Sequence, residues 1–313
     1  MPLFIQEKQS VPSNLLKDKY GWPPFSVLNT MSLDWQHRKD EWEVLIKDST
    51  VGRDTKRYNA TPTNIFSSGH ISSTPNSISS FDPYLCELMY RWFSRKGDSI
   101  LDPFAGGNVR GVVASVLGRH YLGIDLSYKQ VDANRKAYTE FQEKYTNISG
   151  DADWVCNDSE MMDTDFKADM VLTCPPYYNL EIYSKDQRDL SRQPTYTDFL
   201  HKYTNILIKS SKCLVDNSFF VIVVSELRKD SHNIEESQYL GLVPDTIRIL
   251  RDDCNLHYYN EMILINSIGS LPIRAPRQFA RTRKIGRHHQ NVLVFYKGNL
   301  SEIEKKFGEV SIQ

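Results

Sequence analysis

The sequence has no long apolar run, no cysteine pair at metal-ligand spacing and almost no net charge. Nothing in it approaches the roughly 20 apolar residues of a membrane helix, and its first residues are too short an apolar run for a signal peptide. Five scattered cysteines without a Cys-x-x-Cys pair indicate reduced thiols in a cytoplasm, and argue against a disulfide scaffold or a structural zinc site. Because the formal net charge of the 313 residues is −1, any surface for a polyanion must be a local patch.

A glycine-rich turn separates an apolar strand from a helix. Residues 99–107 read Ser-Ile-Leu-Asp-Pro-Phe-Ala-Gly-Gly, without the complete dinucleotide fingerprint or the lysine of a phosphate loop. The next predicted strand ends at Asp125, 18 positions after Gly107, close to the roughly 20 expected for a carboxylate that binds ribose hydroxyls. The alternative role for Asp125 is a helix N-cap.

A second turn follows another short apolar run. Residues 169–178 read Asp-Met-Val-Leu-Thr-Cys-Pro-Pro-Tyr-Tyr, and their apolar part is typical of a strand buried on both faces. The two prolines that follow exclude both a helix and the hydrogen bonds of a sheet, so the chain leaves the sheet in a stiff, extended turn. Such a turn with two aromatic rings suits a planar ligand; the alternative is a proline loop with two packing tyrosines.

The chain from residue 100 onwards alternates between strand and helix patterns, which predicts a parallel sheet covered on both faces. A helix is predicted to begin at Pro83, and two β-rich runs near the end are joined by a long loop. The predicted strands are 99–102, 121–125, 153–156, 169–174 and 219–225, and the predicted helices are 108–118, 127–145, 196–214 and 242–252.

Together the two turns resemble those of the S-adenosylmethionine-dependent DNA amino-methyltransferases, the N4-cytosine and N6-adenine type. The cofactor turn of that family has the form Asp-Pro-Phe-x-Gly-x-Gly, and Asp102-Pro-Phe-Ala-Gly-Gly107 is close to it. The family's catalytic motif is Asp, Asn or Ser followed by Pro-Pro and an aromatic residue, and Cys174-Pro-Pro-Tyr177 departs from it at the first position. Phage-type DNA modification methylases look most similar, through further segments at 23–28, 81–88, 180–184, 271–275 and 290–295.

The resemblance implies a Rossmann-like methyltransferase fold of the α/β class. Its sheet would be mostly parallel and seven-stranded, with an antiparallel terminal hairpin and helices on both faces. The implied division is an N-terminal extension at 1–80, partly irregular and a candidate target-recognition or lid segment, a methyltransferase domain at 81–300 and a C-terminal tail at 301–313.

The resemblance also implies S-adenosyl-L-methionine as cofactor. Residues around Phe81 would close over its methionine end, and Asp158 would meet its adenine edge, with a solvated loop acid as the alternative for Asp158. The predicted cofactor-binding residues are Phe81, Pro83, Asp102, Pro103, Phe104, Ala105, Gly106, Gly107, Asp125, Leu126, Asp158 and Cys174.

The implied catalytic residues are those of Cys174-Pro-Pro-Tyr177, namely Cys174, Pro175, Pro176 and Tyr177. The carbonyl of Pro175 and the side chain or carbonyl of Cys174 would hold the amino group, and Tyr177 would stack on a flipped base. A covalent nucleophile is the alternative role for Cys174, but no His, Lys or Arg lies in the local sequence to activate it.

Residues 271–290 form the best candidate for a DNA-binding loop. They contain no Asp or Glu, and six cations can neutralise several phosphates and make binding steeply salt-dependent. A solvated basic loop is the alternative. The neighbouring histidines lack a Cys or carboxylate at ligand spacing, so we expect no metal. The predicted DNA contacts are Arg274, Arg277, Arg281, Arg283, Lys284 and Arg287.

The sequence therefore predicts a DNA amino-methyltransferase, with DNA as partner and neither membrane nor metal involved. Two alternatives stay open: a nucleic-acid-binding protein of this fold that has lost transfer activity, with Cys174 as the lesion, and a methyltransferase acting on RNA, a protein side chain or another DNA position. Cysteine is closest in size to the serine of N4-cytosine enzymes, which slightly favours cytosine over adenine.

Overall fold

The computed structural model describes residues 13–46, 80–178, 186–228 and 238–310. Residues 1–12 and 47–79 of the predicted N-terminal extension, and the whole of the segment 180–184, lie outside these ranges. Within the described residues no helix is both long and apolar enough to cross a bilayer.

One mixed sheet forms the centre of the protein, and its strand order is β1-β7-β8-β6-β5-β2-β3-β4. All neighbouring strands are parallel except that β8 runs antiparallel to both β6 and β7. The strands are β1 Val27–Asn29, β2 Ser99–Asp102, β3 His120–Asp125, β4 Asp151–Cys156, β5 Ala168–Thr173, β6 Leu214–Val224, β7 His257–Ile265 and β8 His289–Lys297. The predicted Rossmann-like methyltransferase fold with an antiparallel terminal pair is confirmed.

The predicted number of strands, seven, was wrong. The N-terminal segment supplies an eighth strand, β1, which pairs in parallel with β7 through Val27 and Ile263. Its three residues carry too short a pattern to be recognised in the sequence, because strands of this length depend on the neighbouring strand rather than on local propensity.

The helices follow the predicted rhythm. The helix expected at 242–252 is α-helical over its first part and ends in a π-helical turn at Ile249–Asp253. The helices are α1 Ser13–Tyr20, α2 Leu33–Leu45, α3 Pro83–Phe93, α4 Val109–Val116, α5 Tyr128–Lys144, α6 Tyr196–Cys213, α7 Leu242–Arg248, α8 Leu271–Thr282 and α9 Ile303–Phe307.

The expectation of a plain loop at 271–290 was wrong, since α8 occupies its first half. Pro272 stands in the first turn of α8, where a missing N–H costs nothing, and Arg283 ends the helix with a left-handed backbone, φ 59°. The internal Pro276 and the dense positive charge hid this helix from pattern reasoning.

The central strands are buried on both faces, as expected of a covered parallel sheet. Alternate residues of β5 and β6 belong to two separate apolar clusters: Met170 and Val221 pack in one, and Val171 and Phe220 in the other. The helices on the two faces therefore hold the carboxyl ends of β2, β3 and β5 in a fixed arrangement.

The N-terminal helix α2 is fastened to α3 through the buried Glu87. Arg38 donates to both carboxylate oxygens of Glu87 at 2.8 Å, and the indole of Trp42 donates to the same group at 2.6 Å. A second indole, that of Trp35, donates to Asp82 at 3.1 Å. Residues before 80 thus contribute to the frame around the start of α3; the domain boundary at 80 stays a prediction.

Candidate active site

One cavity opens at the carboxyl ends of the central parallel strands, and both turns singled out in the sequence line it. Its walls also include ends of β6 and β7, at Val223 and Leu264. The predicted residues on its walls are Phe81, Pro103, Phe104, Ala105, Gly106, Gly107, Asp125, Leu126, Asp158, Cys174, Pro175, Pro176 and Tyr177. Clefts at this edge of an α/β sheet are the usual place for ligands.

Asp102, a predicted cofactor residue, lies behind the cavity wall with no exposed surface. Its carboxylate accepts hydrogen bonds from the backbone N–H of Phe104 at 3.1 Å, from the Tyr121 hydroxyl at 2.8 Å and from the Thr173 hydroxyl at 2.6 Å. Asp102 therefore fixes the glycine-rich turn relative to the strand end that precedes Cys174. Pro83 likewise lies outside the wall, buried at the first turn of α3.

Arg110 is a buried residue that the sequence reasoning missed. Its guanidinium pairs with Asp102 at 2.5 Å, donates to the carbonyl oxygens of Phe104 and Ala105 at 2.7 and 2.9 Å, and lies 4.6 Å from the ring centre of Phe81. Burial, the largest effect, would lower the pKa of Arg110, but the charge of Asp102 together with those of Tyr121, Cys174 and Cys86 outweighs burial and raises it. No local spacing signal marks the residue, since its partners come from separate elements.

The same guanidinium interacts electrostatically with Cys174. The local sequence shows no cation near this thiol, and the structure supplies one from α4. Arg110 is already neutralised by Asp102 at 2.5 Å, so its effect on a thiolate is weaker than that of an unpaired cation.

Asp125 binds the glycine-rich turn directly. One of its oxygens accepts from the backbone N–H of Gly106 at 2.9 Å and the other from that of Ser127 at 2.8 Å. The N-cap of α5 is Ser127, whose hydroxyl accepts from Gln130, so the alternative role of Asp125 as that N-cap is excluded. Gly106 has φ 54°, a left-handed backbone that favours glycine.

Asp158 lines the cavity beyond the end of β4 and caps a short 3₁₀ turn by accepting from the N–H of Glu160 at 2.9 Å. Arg188 also lines the cavity and interacts electrostatically with Asp158. The neighbouring Asp189 and Leu190 complete this wall. Sequence reasoning missed this segment because it carries no recognisable motif.

The Cys174-Pro-Pro-Tyr177 turn is held from a distant part of the chain. The carboxamide of Gln290 donates to the Tyr177 hydroxyl at 3.0 Å, and Tyr177 is 6% exposed. Gln290, Asn266 and Thr30 line the same cavity, and Thr30 is fixed by a hydrogen bond to the carbonyl of Ile265 at 2.6 Å. None of the three was predicted as a site residue.

The predicted DNA contacts lie on and after α8. Arg277 and Arg281 are exposed and stand four positions apart, so they share one face of the helix. Arg283 donates to carbonyl oxygens at the end of α8, at 3.2 and 3.1 Å. Arg287 is partly buried, donating to the carbonyl of His289 at 3.1 Å and to the side chain of Asn291. Lys284 is partly buried, and the side chain of Arg274 is outside the described set.

Among the described residues, no group of three His, Cys, Asp or Glu side chains could hold a metal ion.

The chain therefore has the Rossmann-like methyltransferase fold of the α/β class, with both turns on one cavity. Residues 19–136 match the family model described as DNA methylase. The type II methyltransferase M2.DpnII of Streptococcus pneumoniae is 43% identical over 53 residues, 17% of this chain and 20% of that protein. M.HinfI of Haemophilus influenzae is 38% identical over 55 residues, 18% of this chain and 15% of that protein. The predicted resemblance to DNA amino-methyltransferases is confirmed.

The matched stretches span one fifth or less of these two curated relatives. Among solved structures, TrmN from Thermus thermophilus is similar with a TM-score of 0.44 and 16% identity, over 69% of this chain and 49% of that one. A TehB-like SAM-dependent methyltransferase from Corynebacterium glutamicum has a TM-score of 0.41 and 16% identity, over 72% of this chain and 92% of that one.

Proposed function

We propose that the protein is a DNA methyltransferase that uses S-adenosylmethionine to methylate the exocyclic amino group of a flipped base. The observation that supports this most is that one cavity is lined by Pro103-Phe-Ala-Gly-Gly107, by Asp125 and by Cys174-Pro-Pro-Tyr177. The match of residues 19–136 to DNA methylases supports DNA as substrate. Cytosine is slightly favoured over adenine, because cysteine is closest in size to the serine of N4-cytosine enzymes.

The polar and apolar groups that line the cavity fit this cofactor. Carboxylates at the ends of two neighbouring strands, Asp125 and Asp158, can accept hydrogen bonds from ribose hydroxyls and from an amino group. Phe104 and Leu126 supply apolar walls between them on which a purine ring can pack. When bound, the cofactor supplies an activated methyl group on a sulfonium sulfur.

The residues of the catalytic turn would prepare the amino group for transfer. The nitrogen lone pair of cytosine or adenine is delocalised into the ring, so acceptors must draw on its hydrogens from fixed positions. We assign this role to the carbonyl of Pro175 and to Cys174. They follow a strand end that is fixed by the hydrogen bond from the Thr173 hydroxyl to Asp102 at 2.6 Å. Holding the two reactants in this geometry can contribute several kcal/mol to the rate, roughly 7–11 at the limit.

Tyr177 would stack on the flipped base. Its hydroxyl is held by Gln290 at 3.0 Å, which limits rotation of the ring and defines the plane against which a base would lie. Stacking of a base on an aromatic side chain is worth about 1–3 kcal/mol.

The exposed cations of α8 would contact the DNA backbone. Arg277 and Arg281 lie on one face of the helix, whereas Phe279, which is 47% exposed, is two positions from each and lies on the opposite side. The face that carries the two arginines can bind phosphates through its charge.

The test is incubation of the purified protein with methyl-labelled cofactor and unmethylated DNA, followed by digestion and identification of the methylated nucleoside. We expect N4-methylcytosine or N6-methyladenine in the DNA, and far less of it from Tyr177→Ala, which loses the stacking ring. Label in RNA or protein would contradict the assignment of DNA. Binding of DNA and cofactor without transfer would instead support a binding protein that has lost activity.

A further inference from the structure

We propose that Asn266 and Gln290 form the base-recognition wall of the cavity and bind the edge of the target base; this rests on the proposed function. Asn266 follows β7 directly and Gln290 lies near the start of β8. Both line the cavity and are nine-tenths or more buried, with 4% and 6% of their surface exposed.

The side chain of Asn266 makes no hydrogen bond to any described residue, although its backbone N–H donates to the carbonyl of His288 at 2.8 Å. The amide oxygen and nitrogen of Asn266 are open to the cavity rather than fully buried, so they are available to a polar ligand there. A ligand in the cavity would supply the missing donor and acceptor.

The nitrogen of the Gln290 side-chain amide already has a hydrogen-bond partner among the described residues, and its oxygen does not. Its Nε2 donates to the Tyr177 hydroxyl at 3.0 Å, which leaves the carbonyl oxygen Oε1 as the acceptor facing other partners. Tyr177 itself lines the cavity. A base stacked on Tyr177 would therefore have a fixed acceptor beside the ring, in addition to the carbonyl of Pro175.

The two carboxamides also lie where the basic segment joins the sheet. Leu264 pairs with Gln290 across the β7–β8 ladder, and residues 267–288, which include α8, connect the two strands. DNA held by α8 would thus place an extruded base near the strand ends that carry Asn266 and Gln290.

Carboxamides suit bases that carry an amino group. An amide oxygen accepts from the amino group while an amide N–H donates to the adjacent ring nitrogen, a pattern that adenine and cytosine offer and thymine lacks. Because adenine and cytosine share this pattern, the wall selects amino bases as a class. Discrimination between adenine and cytosine would depend on the size of the pocket.

Saturation-transfer NMR with free deoxynucleosides tests the wall without requiring a recognition sequence or methyl transfer. The full chain is loaded with S-adenosylhomocysteine and titrated with deoxyadenosine, deoxycytidine or thymidine. We expect at least one amino nucleoside to bind more tightly than thymidine, and Asn266→Ala and Gln290→Met to weaken that binding about fivefold or more. The affinity for S-adenosylhomocysteine should stay within about twofold.

The matched control is Asn260→Ala, an exposed asparagine on β7 itself, which should bind nucleosides as the parent does. If Asn266→Ala also loses cofactor affinity, the near-isosteric Asn266→Asp tests whether the amide itself binds the base. A carboxylate cannot donate a hydrogen bond to the ring nitrogen, so Asn266→Asp should still weaken nucleoside binding. Equal binding by parent and variants, or no preference for amino nucleosides, would overturn the proposal. A parent that binds them but transfers no methyl group to DNA would refute the proposed function and leave the wall supported.

Discussion

The guanidinium of Arg110 pairs with the carboxylate of Asp102 at 2.5 Å, and the two side chains are 6% and 0% exposed. The same carboxylate accepts from Tyr121 on β3 and from Thr173 at the end of β5. One buried charge thus connects three neighbouring strands, and with them the glycine-rich turn and the Cys-Pro-Pro-Tyr turn. The geometry of the candidate site depends on this pair.

Arg110→Met should reduce the free energy of unfolding by roughly 3–5 kcal/mol, because it leaves the Asp102 charge buried without its cation. Denaturant unfolding followed by circular dichroism gives the value. Arg135→Met is the control: its pair with Asp153 is more than half exposed on both sides and is worth under about 1 kcal/mol. Equal effects of the two substitutions would show that the buried pair contributes no more to the free energy of unfolding than an exposed pair does.

Glu87 should make stability depend on pH in the acid range. Burial alone would raise its pKa, but hydrogen bonds from Arg38, then the charge of Arg38 and the indole of Trp42, outweigh burial and lower it. A carboxyl whose folded pKa is depressed stabilises the protein above its unfolded pKa, about 4.3, and the contribution is lost as pH falls through the folded pKa.

The difference in free energy of unfolding between the parent and Glu87→Gln should therefore be largest above about pH 5 and shrink below about pH 4. Urea unfolding across this range measures it. Glu302→Gln, which removes a partly exposed partner of Lys305, should show little dependence. A Glu87→Gln difference that is constant with pH would contradict the role of the ion pair.

Much of the central sheet could be predicted from the sequence because local patterns encode it. Strands β2, β3 and β5 have apolar runs that end in the two turns, and parallel packing brings those ends together. The carboxamides of Asn266 and Gln290 could not be found this way. Gln290 acts on Tyr177, 113 positions away, through a contact that exists only once β8 inserts beside β6.

The N-terminal strand and α8 were missed for different physical reasons. Three residues such as Val27–Asn29 gain strand structure from β7 alone, so their own sequence holds little information. In α8, charge and prolines mask a helix whose Leu271 is buried against Gly286, where a Cβ would approach Leu271 within 2.4 Å. Packing rather than periodicity stabilises that segment.

Asp125→Ala should weaken binding of S-adenosylmethionine by roughly 2–4 kcal/mol, since it would remove the proposed charge-assisted hydrogen bonds to the ribose and would free the N–H of Gly106. Titration calorimetry on the folded variant measures this loss. Asp132→Ala, which removes a partly exposed acid on α5, is the control and should bind normally. Unchanged affinity of a folded Asp125→Ala would refute the ribose assignment.

Replacing Arg277 and Arg281 by Gln should flatten the salt dependence of DNA binding. Each lost phosphate contact should lower the magnitude of the slope of log K against log salt by about 0.9. Fluorescence anisotropy at several salt concentrations gives the slope, and cofactor affinity should not change. Arg251→Gln, exposed and paired with Asp252, is the control. A slope equal to that of the parent would show that α8 is a solvated surface.

Cys174 is expected to act as a serine-like wall of the amino-group pocket, and Cys174→Ser should keep activity within about tenfold, which is roughly 1.4 kcal/mol of barrier. The cation that interacts with Cys174, Arg110, is already paired with Asp102, so a strongly activated thiolate is not expected. Tyr177→Ala should cost far more than Cys174→Ser, because it removes the stacking ring, worth about 1–3 kcal/mol, together with the alignment that the ring imposes. Tyr177→Phe is the matched control, since it keeps the ring and loses the hydrogen bond to Gln290. Methyl transfer by all three variants on the same DNA is the measurement, and an inactive Cys174→Ser together with a trapped protein–DNA adduct in the parent would indicate ring-carbon chemistry instead.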